Sequence, residues 1–303
     1  MRNRASLGLL WGALTGLPLL ISIFAPKGIA LLFTVSAVIA AALHLWPSRL
    51  KPRFPLAPGR LLALLCLWAL ISALWAFDPK ADAIGALRLA AMMAAGLCLC
   101  SLSLHLDEVA SQAFEKAFLT ASLTGLLLIA SDLLTDSGLM TFYFEFRDGE
   151  KVPEGFRFFL YTKRRAMIAA LALWPAMLAA RSLFGPKAAL ALAALTVLVL
   201  AFHESTTALG AALIGSAVFA LAWKLPRLTF AGGCLALALL FASPPFLKDR
   251  IPTPDGFGQA LPNLSCSAMH RILIWDFALA RIAERPVLGF GFDAAREFGG
   301  REP

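Results

Sequence analysis

The chain has 303 residues, of which 59% are hydrophobic and 15% charged, with a formal net charge of +8 and a mean hydropathy of +0.76. Soluble domains carry about 25% charged residues, so a water-soluble globule is excluded: there is too little polar surface to cover it. The positive balance is no sign of nucleic acid either, because it follows a loop bias typical of membrane proteins.

Apolar runs of about 20 residues, the length that crosses the hydrocarbon core, recur along most of the chain. Backbone groups in lipid must be paired internally, and long runs satisfy this as helices. The sequence therefore predicts an all-α fold: a polytopic transmembrane bundle of about nine spans over residues 1–246, then an extracytoplasmic segment over 247–303 that carries an amphipathic helix. The first run, Leu7 to Ala25, follows Arg2 and Arg4 as a signal peptide would. Further apolar runs succeed it at once without a small-residue cleavage site, so it reads as a retained span. Spans follow at Gly28 to Trp46, Leu61 to Phe77, Ala83 to Leu104 and Ala113 to Leu134. After an outer loop over 135–165 come Ala166 to Phe184, Ala188 to Phe202, Ala208 to Trp223 and Leu228 to Phe246. Only His203-Glu204-Ser205-Thr206 separates the seventh and eighth, which implies a tight hairpin or incomplete crossing.

Lysine and arginine in the short loops set the orientation. With a cytoplasmic N-terminus, the inner side collects Arg2, Arg4, Arg49, Lys51, Arg53, Arg60, Lys116, Arg181, Lys187, Lys224 and Arg227, and the outer short loops hold Lys27 and Lys80. Everything after Phe246 is then outside. Four cysteines (Cys66, Cys98, Cys100, Cys234) fall in apolar helices and Cys266 stands alone outside, which gives neither a disulfide framework nor the spacing of a metal site. No metal and no cofactor are expected.

Polar chemistry gathers in the two outer segments. The first holds Phe142, Tyr143, Phe144, Phe146, Phe156, Phe158, Phe159 and Tyr161, rings that suit the headgroup layer of the surrounding lipids. It ends in Lys163-Arg164-Arg165, immediately before the run that starts at Ala166. Three cations at an outer helix N-terminus oppose both the charge bias and the helix dipole, so a negative group is needed. A phosphate or diphosphate fits; lipid phosphates, or Asp148, Glu150 and Glu154, would also serve. Arg88 lies one to two turns inside the fourth span. An intramembrane arginine is a functional candidate by default, although its stem is long enough to snorkel toward Asp82.

The second outer segment opens with a Pro- and Gly-rich loop, and then His270 to Arg285 reads as an amphipathic helix stopped by Pro286. Ile272, Trp275, Leu279 and Ile282 fall on its apolar face. Gly289-Phe290-Gly291-Phe292 turns the chain, and Asp293 is the expected N-cap of a short helix with Arg296 and Glu297. Without a preceding strand, the Gly-x-Gly pair does not indicate a dinucleotide site.

These residues carry a resemblance. His270-Arg271-x-x-Ile274-Trp275, followed by Glu284-Arg285-Pro286-Val287-Leu288-Gly289-Phe290-Gly291 on an outer segment behind nine spans, resembles the bacterial O-antigen ligase and polymerase superfamily. Arg164-Arg165-Ala166 with Trp174-Pro175 is similar to a stretch in some members. The resemblance implies a GT-C-like, metal-independent membrane glycosyltransferase in the bacterial inner membrane. It would move a glycan from undecaprenyl diphosphate to the lipid A core, or to the next repeat unit in a polymerase. Arg164, Arg165, Arg271 and Arg296 would then bind the diphosphate, His270 is the candidate catalytic base, and Arg88, His203 and Ser205 form a further polar site. Two departures stand out. The family's Ser-Arg-Gly is here Ser205-Thr206-Thr207, without the arginine. The family also continues beyond the position of Pro303 with a histidine-bearing segment and further spans, so the resemblance implies a truncated chain of reduced activity. The competing reading is a non-enzymatic flippase for a lipid-linked sugar; the absence of a visible internal repeat counts against it.

Overall fold

The computed structural model describes residues 4–25, 28–48, 56–153, 158–203, 205–243 and 266–298. All regular structure in these residues is helical. In chain order the helices are α1 (Arg4–Phe24), α2 (Ile29–Ser48), α3 (Leu56–Ser72), α4 (Pro79–Ser103), α5 (Glu108–Leu134), α6 (Gly138–Asp148), α7 (Phe159–Phe184), α8 (Pro186–Ala201), α9 (Thr206–Lys224), α10 (Pro226–Ala242) and α11 (Cys266–Glu284), with short 3-10 turns at Ala73–Trp75 and Ala294–Arg296. Every predicted span appears as a helix. Five helices are long and apolar enough to cross a membrane: Ser6–Phe24, Pro79–Ser101, Glu108–Leu134, Tyr161–Phe184 and Thr206–Lys224. The other four apolar helices are shorter. With 16 residues, α8 is about 24 Å long at 1.5 Å per residue, less than the roughly 30 Å hydrocarbon thickness. Large apolar side chains such as Leu190, Leu228, Phe230 and Phe241 point outward, and α10 buries none of its residues. Such faces would aggregate in water and are stable against lipid.

The chain divides into two compact units, one of residues 1–60 and 91–220 and the other of 61–90 and 221–303. In the first unit α1 packs along α5, and α5 also meets α7. The close approach of α1 and α5 comes from small residues. A Cβ on Gly12 would lie 2.2 Å from Ala117 Cβ, and one on Gly16 2.7 Å from Ala121 Cβ. Gly8, Gly12 and Gly16 thus form a Gly-xxx-Gly-xxx-Gly stripe. In lipid, where apolar burial gives no drive between helices, such stripes stabilise packing through van der Waals contact. Ile23, Leu119, Leu126 and Ile129 continue the interface and join Ala176, Leu192 and Val199 of α7 and α8.

Two boundaries differ from the sequence reading in ways that matter for the site. The loop expected over 135–165 contains α6, an 11-residue helix. Moreover, α7 starts at Phe159 rather than Ala166, because Phe159 to Arg165 are polar and aromatic but entirely compatible with a helix.

Candidate functional site

The end of the first unit that holds the α5–α6 turn is organised by one carboxylate. Asp132, in the last turn of α5, is 1% exposed. Its Oδ1 accepts the Met140 N–H at 3.0 Å, and its main-chain carbonyl accepts the Ser137 N–H at 2.7 Å. Asp136 and Ser137 turn the chain with positive φ of 50° and 70°, so the first turn of α6 is held from α5 and not by its own cap. The other carboxylate oxygen pairs with Arg165 Nη1. Three helices, α5, α6 and α7, are thereby tied at a single buried point.

This pairing alters the expected roles of Lys163, Arg164 and Arg165. With α7 beginning at Phe159, the three cations lie inside the helix, and their own N–H groups belong to its ladder. The free N–H groups and the positive dipole end are not beside them, so any anion held there depends on side chains. Arg165 is 2% exposed; its counter-charge is Asp132, not the Asp148, Glu150 or Glu154 named from sequence. Glu154 lies outside the described residues, and Asp148 is taken by Arg147 at 2.6 Å. Arg164 is half-buried and has no ion pair among the described residues. It is the guanidinium of the pair left available for a ligand.

α6 surrounds this point with rings. Phe144 packs against Phe158 at 5.1 Å and Tyr161 at 5.0 Å, and Arg147 lies 4.3 Å above Phe144. The hydrogen bonds from Arg147 hold the Asp148 carboxyl below the usual carboxylate range, and the same contact raises Arg147 further. Phe142 and Phe146 stack on the opposite side and are exposed, the placement expected of headgroup-layer rings.

His203 and Ser205 belong to this end as well. Ala166, next to Arg165, shares a buried cluster with Leu200 and Ala208, which bracket the α8–α9 connection. His203 is 5% exposed, and its carbonyl accepts the Ser205 N–H at 2.7 Å. Ser205 Oγ accepts the Ala208 N–H at 3.4 Å, an N-cap of α9. Within α7, Trp174 sits against the bare backbone of Gly215, where a Cβ would be 2.2 Å from the ring.

In the second unit, α11 begins one turn before His270 and ends before Pro286, as the sequence indicates. His270 and Arg271 are exposed on its first turns. Of the expected apolar face, Leu279 is buried, whereas Trp275 and Ile282 are exposed. The segment after α11 folds onto the junction of α3 and α4. Trp75 Nε1 donates to the Leu288 carbonyl at 3.2 Å, Phe77 stacks on Phe290 at 5.6 Å, and Phe298 meets Phe77 at 5.2 Å. Gly291 has φ +107°, and a Cβ there would be 2.5 Å from Ala76 Cβ and 2.9 Å from Asp82 Oδ2. The Gly-x-Gly pair is thus a docking device.

Two expectations are corrected in this unit. Arg88 is exposed and makes no ion pair with Asp82, which is itself 3% exposed; the helix holds the two residues apart and the stem does not bridge them. Asp293 stands before the Ala294–Arg296 turn as predicted, but in a left-handed conformation with no side-chain capping bond. The side chain of Arg296 lies outside the described residues.

Sequence reasoning missed Asp132 by treating it as part of an apolar span. Its signal was present: a carboxylate inside such a run needs a partner, and the cations at 163–165 lacked one. Chemically, this end of the first unit offers, among the described residues, a guanidinium without an ion pair, a buried ion pair, a buried imidazole and a shelf of aromatic rings. Among the described residues no three His, Cys, Asp or Glu side chains come together as metal ligands.

Comparison with known proteins bears on the C-terminal part. Residues 188–302 match the family model described as O-antigen ligase, so an O-antigen ligase domain is present over the stretch from α8 to the turn that follows α11. No curated protein and no solved structure matches the chain.

Proposed function

We propose that the chain carrying this O-antigen ligase domain transfers a glycan from undecaprenyl diphosphate to a hydroxyl of the lipid A core, at the periplasmic face of the bacterial inner membrane. The family match over 188–302 carries the reading. The multi-span bundle supports it, because a polyprenyl carrier must be met in the membrane. The loop-charge bias supports a cytoplasmic N-terminus and a periplasmic site.

In this reaction the acceptor oxygen attacks the anomeric carbon, the bond from that carbon to the diphosphate oxygen breaks, and the hydroxyl proton passes to a base. The leaving group needs its growing negative charge neutralised. Arg164 is assigned to that task, with Arg165 kept in place by Asp132. Arg271 and Arg296 are further candidates for the anion. His270, exposed on α11, is the candidate base for the acceptor.

Reconstitution of the protein in liposomes, with a labelled undecaprenyl diphosphate glycan and lipid A core, tests the proposal. Label should move to the lipid A core. Arg164→Gln should raise the donor KM by roughly 10- to 150-fold, the equivalent of about 1.5–3 kcal/mol for a charge-assisted bond. His270→Ala should lower kcat by about 10²- to 10⁴-fold with the donor KM unchanged. Lengthened glycan chains in place of lipid A product would reassign the activity to polymerisation. Donor that crosses the bilayer without any new glycosidic bond would indicate a flippase.

A further inference from the structure

α11 carries an exposed stripe that its packing inside the second unit does not use. Successive residues of a helix stand about 100° apart around its axis, so Arg271, Ile274, Trp275 and Ile282 share one arc of about 100°. Ile274, Trp275 and Ile282 are all exposed, Trp275 by 59%, and Arg271 is exposed with them. A different side of the helix does the packing: Leu279 is buried, and Ile272 and Asp276 are half-buried. The apolar residues of α11 are therefore divided between two faces, where the sequence implied one. No carboxylate shares the exposed arc. Asp276 and Glu284 project about 140° from Arg271, one on either side, and Glu284 is paired with Arg281 at 2.7 Å.

Contacts within the same unit fix the level at which this helix ends. Phe277 meets Phe298 at 5.4 Å, Phe298 meets Phe77 at 5.2 Å, and the Leu288 carbonyl accepts the Trp75 Nε1–H at 3.2 Å. Trp75 and Phe77 stand where the apolar helix α3 gives way to α4, a level that is a membrane–water boundary whichever way the bundle faces. Trp75 also packs edge-on with Trp68 at 5.8 Å, as indoles of an interfacial belt do. Val287 and Leu288, at the tether itself, are exposed too. An indole and two isoleucines held at that height match the boundary between headgroups and acyl chains, and the long stem of an arginine carries its charge to the phosphates.

We propose that α11 lies on the membrane surface, with Ile274, Trp275 and Ile282 seated against phospholipid and Arg271 at the level of the lipid phosphates. His270 and Arg271 then meet a lipid-linked substrate at the depth of its diphosphate. That consequence alone rests on the transfer reading; the seating of the helix is measured without turnover, so the two fail separately.

The test is fluorescence quenching of the full chain in nanodiscs of phosphatidylcholine and phosphatidylglycerol, with acyl chains unbrominated, brominated near the headgroup or brominated near the tail. The chain has seven tryptophans, and subtracting the emission of Trp275→Phe isolates the one on the stripe. Its signal should be quenched more by bromine near the headgroup than near the tail, the order for a ring buried about 5–10 Å into the interface. Ile282→Glu sets a carboxylate on the stripe and should abolish most of that quenching. Ala283→Glu, exposed on another side of the helix, should leave it unchanged. Circular dichroism of each variant checks the fold. A Trp275 signal untouched by brominated lipid but open to aqueous acrylamide would leave the stripe in water. One shielded from both quenchers would place protein there, a second copy or another segment. Either result overturns the proposal, as would full quenching in a folded Ile282→Glu protein.

Discussion

The ion pair between Asp132 and Arg165 should dominate the stability of the α5–α6–α7 end. The two side chains are 1% and 3% exposed, so neither charge has water to return to when its partner is removed. Breaking a pair buried to this degree costs about 3–5 kcal/mol. Asp132→Asn is the informative change, because its amide oxygen still accepts the Met140 N–H and only the charge is lost. Arg165 Nε is already buried without a hydrogen-bond partner, so the stranded guanidinium cannot rearrange within the site at no cost. Asp132→Ala should lose the α6 capping bond as well, a further loss of about 0.5–2 kcal/mol. Arg165→Met strands the carboxylate and should cost a similar amount to Asp132→Asn. The double variant Asp132→Asn with Arg165→Met removes both charges and should be far less destabilised than the sum of the two. Equilibrium unfolding in mixed detergent micelles, followed by circular dichroism, measures all four. Single losses below about 1 kcal/mol, the range of surface pairs, or strictly additive effects in the double variant, would refute the argument.

Gly12→Leu should separate α1 from α5, since even a Cβ would stand 2.2 Å from Ala117 Cβ. The same unfolding assay should show a loss of about 1–3 kcal/mol, the usual cost of overpacking, whereas Gly59→Leu, with nothing near its Cβ, should be close to neutral. Asp148 is held below its ordinary 3.8 by Arg147, so its contribution to the α6 end is present above that value and is lost as pH falls through the lower folded pKa. Carbon-13 NMR of labelled aspartate should find its midpoint below the ordinary range, and Arg147→Gln should move it back up.

The bundle was legible because the bilayer imposes a length: each predicted apolar run of Leu, Ala, Ile, Val and Phe became a helix. What the runs concealed was anything polar inside them or anything helical outside them. Asp132 was absorbed into the fifth span, although Lys163 to Arg165 lacked the counter-charge it supplies. α6 was read as an aromatic loop, yet Met140 and Phe144, four residues apart, and Gly149 just past its end mark a helix with one buried side and a left-handed stop. Gly8, Gly12 and Gly16 were also visible as a spacing, but only the partner helix shows which face they bring together. The end of α11, by contrast, was read nearly to the residue, because Pro286 and the two glycines punctuate it strongly, although the helix starts one turn earlier than His270.

The sequence offers Arg164, Arg165, Arg271 and Arg296 for an anionic ligand, and the structure sets Arg147, Arg281 and Arg285 beside them for comparison. The structure ranks them by what already fills their donors. Arg147, Arg165 and Arg281 each spend donors on a carboxylate, Asp148, Asp132 and Glu284 respectively. A phosphate that approached any of these three would have to displace or share that partner, with like-charge repulsion from the carboxylate left behind. Arg164 and Arg285 have no such partner among the described residues; Arg164 is half-buried, whereas Arg285 is exposed and lies over Phe290 at 4.7 Å. Half-burial strengthens the attraction of the Arg164 guanidinium for an anion, since screening falls as water is removed. Ligand affinity should therefore respond to Arg164→Gln, while Arg165 substitutions should act first on stability.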